Sequence, residues 1–220
     1  MKNIRKKLGY YFFASYRRKL LDKLLEKHRS SYAGIVLDIG GRDRGIFRSP
    51  KESVEKWITA DIEKERHPDM LLDVCNMIGV KSESIDTINA LELFEHVSEP
   101  EIGLRECARV LKKGGLLLIS MPFLYPLHAD PNDFQRWTRE KWERSLADTG
   151  FETERIEAMG GFFTVFSEMI RYGNLQCGPL KYIGFVFYPL LDTLSKIDTV
   201  VKKKPLKNHT TGYFIIAKKA

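Results

Sequence analysis

The sequence predicts an α/β fold, a mostly parallel sheet with helices on both faces. Two patterns carry that expectation. From residue 35 onward, short apolar runs alternate with helical stretches, as in parallel strands joined by covering helices. The first run breaks directly into a glycine-bearing loop, "GIVLDIGGRDRGIF" at residues 34–47, where backbone amides can approach a nucleotide closely. With 220 residues the chain is long enough for one well-buried core and too short for two large domains.

Taken in order, residues 2–28 read as one or two helices, with apolar Ile4, Leu8, Tyr11, Phe12, Tyr16, Leu20 and Leu24 among basic residues. Strands are expected at 35–39, 57–60, 70–74, 85–90 and 116–121. A helix over 99–111 has Ser98 and Glu101 at capping-box spacing, and Leu104, Cys107, Ala108 and Leu111 on one face. Gly114 and Gly115 are expected to end it. Residues 122–138, "PFLYPLHADPNDFQRWT", make a long connection of the kind that tends to carry function. A helix at 139–149, a strand near 151–156, an aromatic-rich helical insertion at 161–201 and a closing strand "TGYFIIAKK" complete the reading. The longest apolar stretch, 182–194, contains Pro189 and Asp192 and falls short of the ~20 residues a spanning helix needs. It is expected to be a buried helix or hairpin lining a pocket, or, flanked by Lys181 and Lys202–Lys204, a segment that dips into a membrane interface.

Charge divides the chain. Residues 1–28 carry nine Lys and Arg against two acidic residues, a net +7 that equals the charge of the whole protein. The remainder is neutral overall, unlike a domain coated for nucleic acid. The layout expected is a basic helical arm over 1–30 and one domain over 31–220, with an aromatic-rich cap insertion at 161–205. The arm is either a helix packed on the domain or one lying on an anionic membrane surface. Cys75, Cys107 and Cys177 are widely spaced and odd in number, which argues against disulfides or a cysteine metal site and for a reducing compartment. No secretory signal is apparent at the N-terminus. A cytoplasmic location follows, with peripheral contact at the inner membrane surface as the sharper version.

The first strand ends at Asp38, and its loop holds Gly40, Gly41 and Gly45. Asp61 follows at the end of the second strand, in "WITADIE". A carboxylate there can accept hydrogen bonds from both ribose hydroxyls of an adenosine, which suits NAD, a flavin or S-adenosylmethionine. The plainer reading of Asp61, and of Asp73 in "LLDVCN", is a helix cap or turn residue. The G-x-G-x-x-G spacing natural to an NAD-binding oxidoreductase is absent.

The order of "VLDIGG", "ITADIE", "LLDVCN", "INALELFEHV" and "ARVLKKGGLLLISMPF" resembles the class I S-adenosylmethionine-dependent methyltransferases over roughly residues 34–160. The segment from "LFEHV" to "LLLISMPF" is similar to the small-molecule group related to ubiquinone and menaquinone biosynthesis enzymes. The resemblance implies a Rossmann-like, seven-stranded sheet with an antiparallel last strand. It also implies S-adenosyl-L-methionine as cofactor. On that basis Asp38 orients the methionine end, and Gly40 and Gly41 admit the backbone to the cofactor. Asp61 takes the ribose hydroxyls with Ile62 against the adenine. Asp73 and the Val74 amide face the adenine ring, and Ala90 and Leu91 border the methionine. Glu92 and His96 belong to a family-like "E-x-x-E-H" stretch and are given no chemistry. The family pattern places glycine at 40, 42 and 44, of which only Gly40 matches; Arg42 and Arg44 stand at the others.

Methyl transfer asks the protein chiefly to align an acceptor and exclude water, and a hydroxyl acceptor gains from a general base. His128, in the long loop after the fifth strand, is the catalytic candidate. The plainer reading is that it fixes the loop through Asp130, Asp133 or a carbonyl. His128, Asp130 and Asp133 are the candidate metal-ligand set, but their spacing matches no strong motif and no metal is expected. Phe162, Phe163, Phe166 and Tyr172 either roof an apolar acceptor pocket or are simply core. The expected function is methyl transfer to a small-molecule or lipid- or sugar-linked acceptor, without nucleic acid. The alternative is a catalytically silent module that docks to a membrane or protein through its basic arm.

Overall fold

The computed structural model describes residues 2–41, 45–129, 131–201, 206 and 208–220. Among them are seven strands: β1 (Gly34–Ile39), β2 (Val54–Asp61), β3 (Met70–Leu71), β4 (Ile85–Leu91), β5 (Leu111–Pro122), β6 (Phe151–Ala158) and β7 (Gly212–Lys219). They form one sheet in the order β3-β2-β1-β4-β5-β7-β6. β7 runs antiparallel to both of its neighbours, while the pairings among β1 to β5 are parallel. The strand order reverses between β1 and β4, so a crevice is expected outside their carboxyl ends.

Strand alternation sorts the core into two layers. Leu37 and Ile39 of β1, Leu117, Ile119 and Met121 of β5, and Ile215 and Ala217 of β7 share one cluster. Their neighbours Val36, Leu118, Phe214 and Ile216 share the other. The first layer is covered by α3 (Pro100–Val110) and α4 (Arg139–Asp148), through Leu104, Cys107, Trp142 and Leu146. The second is covered by α2 (Tyr16–Lys27), through Leu21 and Leu25, which are 0% and 2% exposed. The connection from β1 to β2 contains no helix among the described residues. The basic N-terminal helix thus supplies core to the sheet as well as charge to the surface.

The insertion folds as α5 (Phe162–Leu175), α6 (Lys181–Gly184) and α7 (Tyr188–Lys196), and it joins α1 (Lys2–Phe13) in a cap. Tyr16, Tyr188 and Leu191 form a small separate core with Tyr11, Phe12, Phe185 and Leu194. Two buried charges of α5 clamp the joint between α1 and α2. Glu168 accepts the Tyr16 and Arg17 amides at the start of α2, where a helix presents unpaired N–H groups. Arg171 donates to the carbonyls of Tyr11, Phe12 and Ala14 at the end of α1, at 2.7, 3.2 and 3.3 Å. Burial raises the Glu168 pKa, and burial beside Arg171 lowers that of Lys19 to about 8.

Several local expectations need correction. The third strand stops at Leu71, because the Asp73 side chain accepts the Cys75 amide (2.8 Å) and turns the chain. Ser98 and Glu101 form no capping box. Glu99 is the N-cap, without a side-chain bond, and Pro100 starts the helix with its φ already set. Gly114 and Gly115 lie inside β5, not at the helix end, which comes at Val110. Residues 182–194 are helical but largely on the surface: Ile183, Val186 and Phe187 are 66%, 76% and 60% exposed.

Candidate active site

A cavity of about 380 Å³ opens at the carboxyl ends of β1, β2 and β4, within the ~300–1,000 Å³ usual for ligand sites. Of the residues expected to hold a cofactor, Gly40, Asp61, Ile62, Asp73 and Val74 line it. Asp38, Gly41 and Leu91 line a second cavity of about 270 Å³, which Gly40 shares. Ala90 is fully buried and lines neither. Arg42 and Arg44 lie outside the described residues.

The glycine loop is shaped for close approach. Gly40 has φ of 68°, and a side chain at Gly41 would lie 2.4 Å from the Asp38 carboxyl carbon. Asp38 accepts from Asn89 (2.6 Å) and Trp57 (3.1 Å), and desolvation raises its pKa to about 6 despite those bonds. Asp61 is 5% exposed, and its two oxygens accept from the Glu63 amide (2.9 Å) and Arg66 (3.1 Å). Each carboxylate oxygen carries two lone pairs, so both keep acceptor capacity toward the cavity. Asp73 is a turn residue, as its plainer reading held, and it lines the cavity as well.

The "E-x-x-E-H" stretch is built into the site more deeply than its sequence indicated. Glu92 lines the cavity at φ of 55°, a costly conformation for a side-chain-bearing residue. Ser120 holds it there: the Glu92 amide donates to the Ser120 carbonyl (2.9 Å), and the Ser120 hydroxyl donates to Glu92 Oε1 (2.7 Å). Its other oxygen pairs with Arg17 of α2, whose guanidinium also lies 4.2 Å from the centroid of the Tyr125 ring. Arg17 therefore ties the cap to the cleft, a contact that no motif announced. Glu95 is fully buried, and His96 lines the cavity.

His128 stands beside these residues. Its amide donates to Asp133 (2.9 Å), and its Nδ1 lies 3.2 Å from the Pro126 carbonyl, so the loop-fixing contacts of the plainer reading are present. Its pKa is lowered, chiefly by burial, which keeps the imidazole neutral near pH 7. Asp133 in turn is held by Arg136, with its carboxyl lowered to about 2. Asp130 lies outside the described residues.

Residues 49–119 match the family model described as a methyltransferase domain. No curated protein matches the sequence. The overall structure is similar to an S-adenosylmethionine-dependent methyltransferase from Archaeoglobus fulgidus, with TM-score 0.57, 18% identity and coverage of 98% of this chain and 99% of that one. The fold is that of S-adenosylmethionine-dependent methyltransferases. A phosphoethanolamine N-methyltransferase from Haemonchus contortus, solved with S-adenosyl-L-methionine, aligns with TM-score 0.55 and 16% identity over 90% of this chain and 52% of that one. The [4+2]-cyclase SpnF shares the fold at TM-score 0.56 and 21% identity over 90% of this chain and 79% of that one. The architecture alone therefore does not name a reaction. The domain match together with the fold supports an S-adenosylmethionine-dependent methyltransferase with S-adenosyl-L-methionine as cofactor.

Proposed function

We propose that this chain methylates a hydroxyl-bearing small molecule carried on a lipid or sugar-lipid, taken up at the cytoplasmic face of an anionic membrane. The observation that carries the methyltransferase reading is the convergence of Gly40, Asp61 and Asp73, from three separate strand ends, on one cavity. S-adenosylmethionine brings an activated methyl on a positively charged sulfur. The chain's task is to bind and orient. Asp61 takes the ribose hydroxyls, Ile62 and Val74 enclose the adenine, and Asp73 faces its amino group. Asp38 sits toward the methionine end, with Gly40 and Gly41 giving backbone access and Leu91 beside it. Ala90 supports this wall from beneath. His128 supplies a neutral imidazole for the acceptor proton. This stays within the small-molecule branch to which the "LFEHV" segment is similar.

The cap favours a lipid-borne acceptor. Ile183, Val186, Phe187 and Leu190 are exposed on α6, α7 and the turn between them. Arg5, Lys6 and Lys7 are exposed on α1. Phe12 and Phe13 of α1 pack on Phe185, with ring centroids 4.7 and 5.6 Å apart, so the apolar and basic sets belong to one cap. Apolar side chains flanked by Lys and Arg match an anionic lipid surface. Among the described residues, no helix is long and apolar enough to cross a membrane.

Calorimetry with S-adenosylhomocysteine tests the first half. The wild type should bind at one site, and Asp61→Ala should lose at least about 100-fold, from two hydrogen bonds to a charged group at about 1.5–3 kcal/mol each. No binding to folded wild type leaves the silent docking module in its place. Co-sedimentation with phosphatidylglycerol vesicles tests the second half. Binding should fall sharply in Ile183→Ser/Phe187→Ser and in high salt, and equal binding to neutral vesicles would remove the electrostatic part.

A further inference from the structure

Glu95 is fully buried at the start of the turn after β4, and neither of its carboxylate oxygens has a hydrogen-bond partner among the described residues. A buried carboxylate left in that state is costly, so something beyond these contacts must satisfy it. Its Oε1 faces two imidazole nitrogens, His96 Nε2 at 3.7 Å and His128 Nε2 at 4.0 Å. The three candidate ligand atoms all lie within 4.8 Å of one another.

The tautomers follow from what the far sides of the rings touch. His96 Nδ1 bonds the Asn132 carbonyl, and His128 Nδ1 faces the Pro126 carbonyl at 3.2 Å. A carbonyl only accepts, so each Nδ1 is the donor, and each neutral ring keeps a lone pair on Nε2. Both lone pairs then converge on the unpartnered carboxylate. This is the outer-shell arrangement that orients metal-binding histidines, with the second ring nitrogen tied to a backbone carbonyl.

We propose that Glu95, His96 and His128 bind a divalent transition-metal ion of the zinc class. Two imidazoles and one carboxylate suit zinc and its first-row neighbours and disfavour magnesium or calcium, which take oxygen ligands. A tetrahedral ion with bonds of about 2.0–2.1 Å spaces its ligands by roughly 3.4 Å, so binding draws the imidazoles in from the 3.7 and 4.0 Å that separate them from Glu95 Oε1, within a set whose atoms lie no more than 4.8 Å apart. Two guanidiniums stand close, Arg17 and Arg136; each pairs with its own carboxylate, Glu92 and Asp133, through terminal nitrogens, while the Nε of each is buried without a partner among the described residues, so the ion competes with these two cations for Glu95. Three protein ligands leave one position open, as in catalytic sites. His96 lines the cofactor cleft, so the ion sits at its edge. On the methyltransferase reading above, on which this last role rests, an acceptor hydroxyl at the open position would lose its proton more easily. His128 would then serve as a ligand in place of the base role given to it above, and the hydroxyl proton would pass to solvent.

The test is metal binding, not activity. Full-length protein stripped with a chelator is titrated with zinc chloride and, separately, with cobalt chloride. One zinc ion per chain and a visible cobalt band without thiolate charge transfer are expected. Glu95→Gln and His128→Ala should each weaken zinc by more than about 100-fold, beyond the ~10–100-fold typical of losing an outer-shell partner. His67→Ala/His209→Ala should bind like wild type. No zinc uptake, a thiolate band, or unchanged uptake in the ligand variants would each overturn the site. If Glu95→Gln does not fold, His96→Gln and His128→Ala decide. S-adenosylhomocysteine calorimetry on the same samples separates loss of the metal from failure of the cofactor reading.

Discussion

The cleft and the cap hold their polar groups by opposite strategies. In the cleft, carboxylates stand at strand ends and bond to residues near them in sequence or register: Asp61 to Glu63 and Arg66, and Asp38 to the residue opposite it, Asn89. In the cap, buried charges span the chain, as where Glu168 accepts the amide of Tyr16, 152 residues away. The first arrangement leaves acceptor capacity for a ligand, and the second directs its buried charges to closing a helix joint, with Arg171 Nη1 left without a hydrogen-bond partner among the described residues. Arg17 is where the two meet, since its guanidinium leaves α2 and pairs with Glu92 in the cleft.

The largest effect that could break this comparison comes from Arg171→Ala. It strips three carbonyl partners from the end of α1 and removes a cation from beside Glu168. Breaking one side of a buried charged network costs about 3–5 kcal/mol, which for a chain of this size is a fall of roughly 10 °C in Tm. Thermal denaturation reads that loss. S-adenosylhomocysteine affinity should change less than about threefold if the cleft stands without the cap's clamp. A parallel collapse of affinity would show the cap and cleft to be one device joined through Arg17.

A smaller effect sharpens the cleft side, through Asp38. Its carboxyl sits near 6 when folded against an ordinary 3.8, because burial disfavours the charge. Between those values the folded state holds more protons than the unfolded, so this group's contribution to stability falls as pH rises from about 4 to 6 and is level above. The full window is worth about 3 kcal/mol at most. Asp38→Asn removes the titration, so the variant should gain on the wild type across that window in denaturant titrations at stepped pH. A constant difference from pH 4 to 7 would mean that the carboxyl is not held out of water.

These contrasts also mark what the sequence could say. The strands of the sheet were legible because β1, β4 and β5 are apolar runs bounded by loops, and the ends of β1 and β2 put Asp38 and Asp61 beside a crevice. The third strand ends at Leu71 and not at 74, where the Asp73 side-chain bond turns the chain, and α3 starts one residue later than its pattern predicts, at Pro100. The Arg17–Glu92 pair and the Glu168 clamp were not legible, since no local spacing relates residues from opposite ends of the chain. Glu95 lies in the "E-x-x-E-H" stretch, but its burial facing His96 and His128 depends on how the 122–138 loop folds back. The exposure of 182–194 was misread for a related reason: an apolar run states an affinity, and only packing decides whether protein or a surface satisfies it.

The smallest effect asks whether α2 melts with the sheet. Ser15 caps α2 by accepting the Arg18 amide at 2.9 Å, and Thr138 caps α4 by accepting the Lys141 amide at 3.3 Å. Alanine at either position removes an equivalent bond, at a cost of about 1 kcal/mol. With Leu21 and Leu25 buried against the sheet, the two variants should lower a single cooperative transition by the same few degrees. Hydrogen exchange on α2 should then slow only to the global limit in both. If Ser15→Ala speeds exchange in residues 16–27 alone and leaves Tm unmoved, α2 opens separately from the sheet. The Arg17–Glu92 contact would then be a latch that lifts away from the cleft while the rest of the fold stays intact.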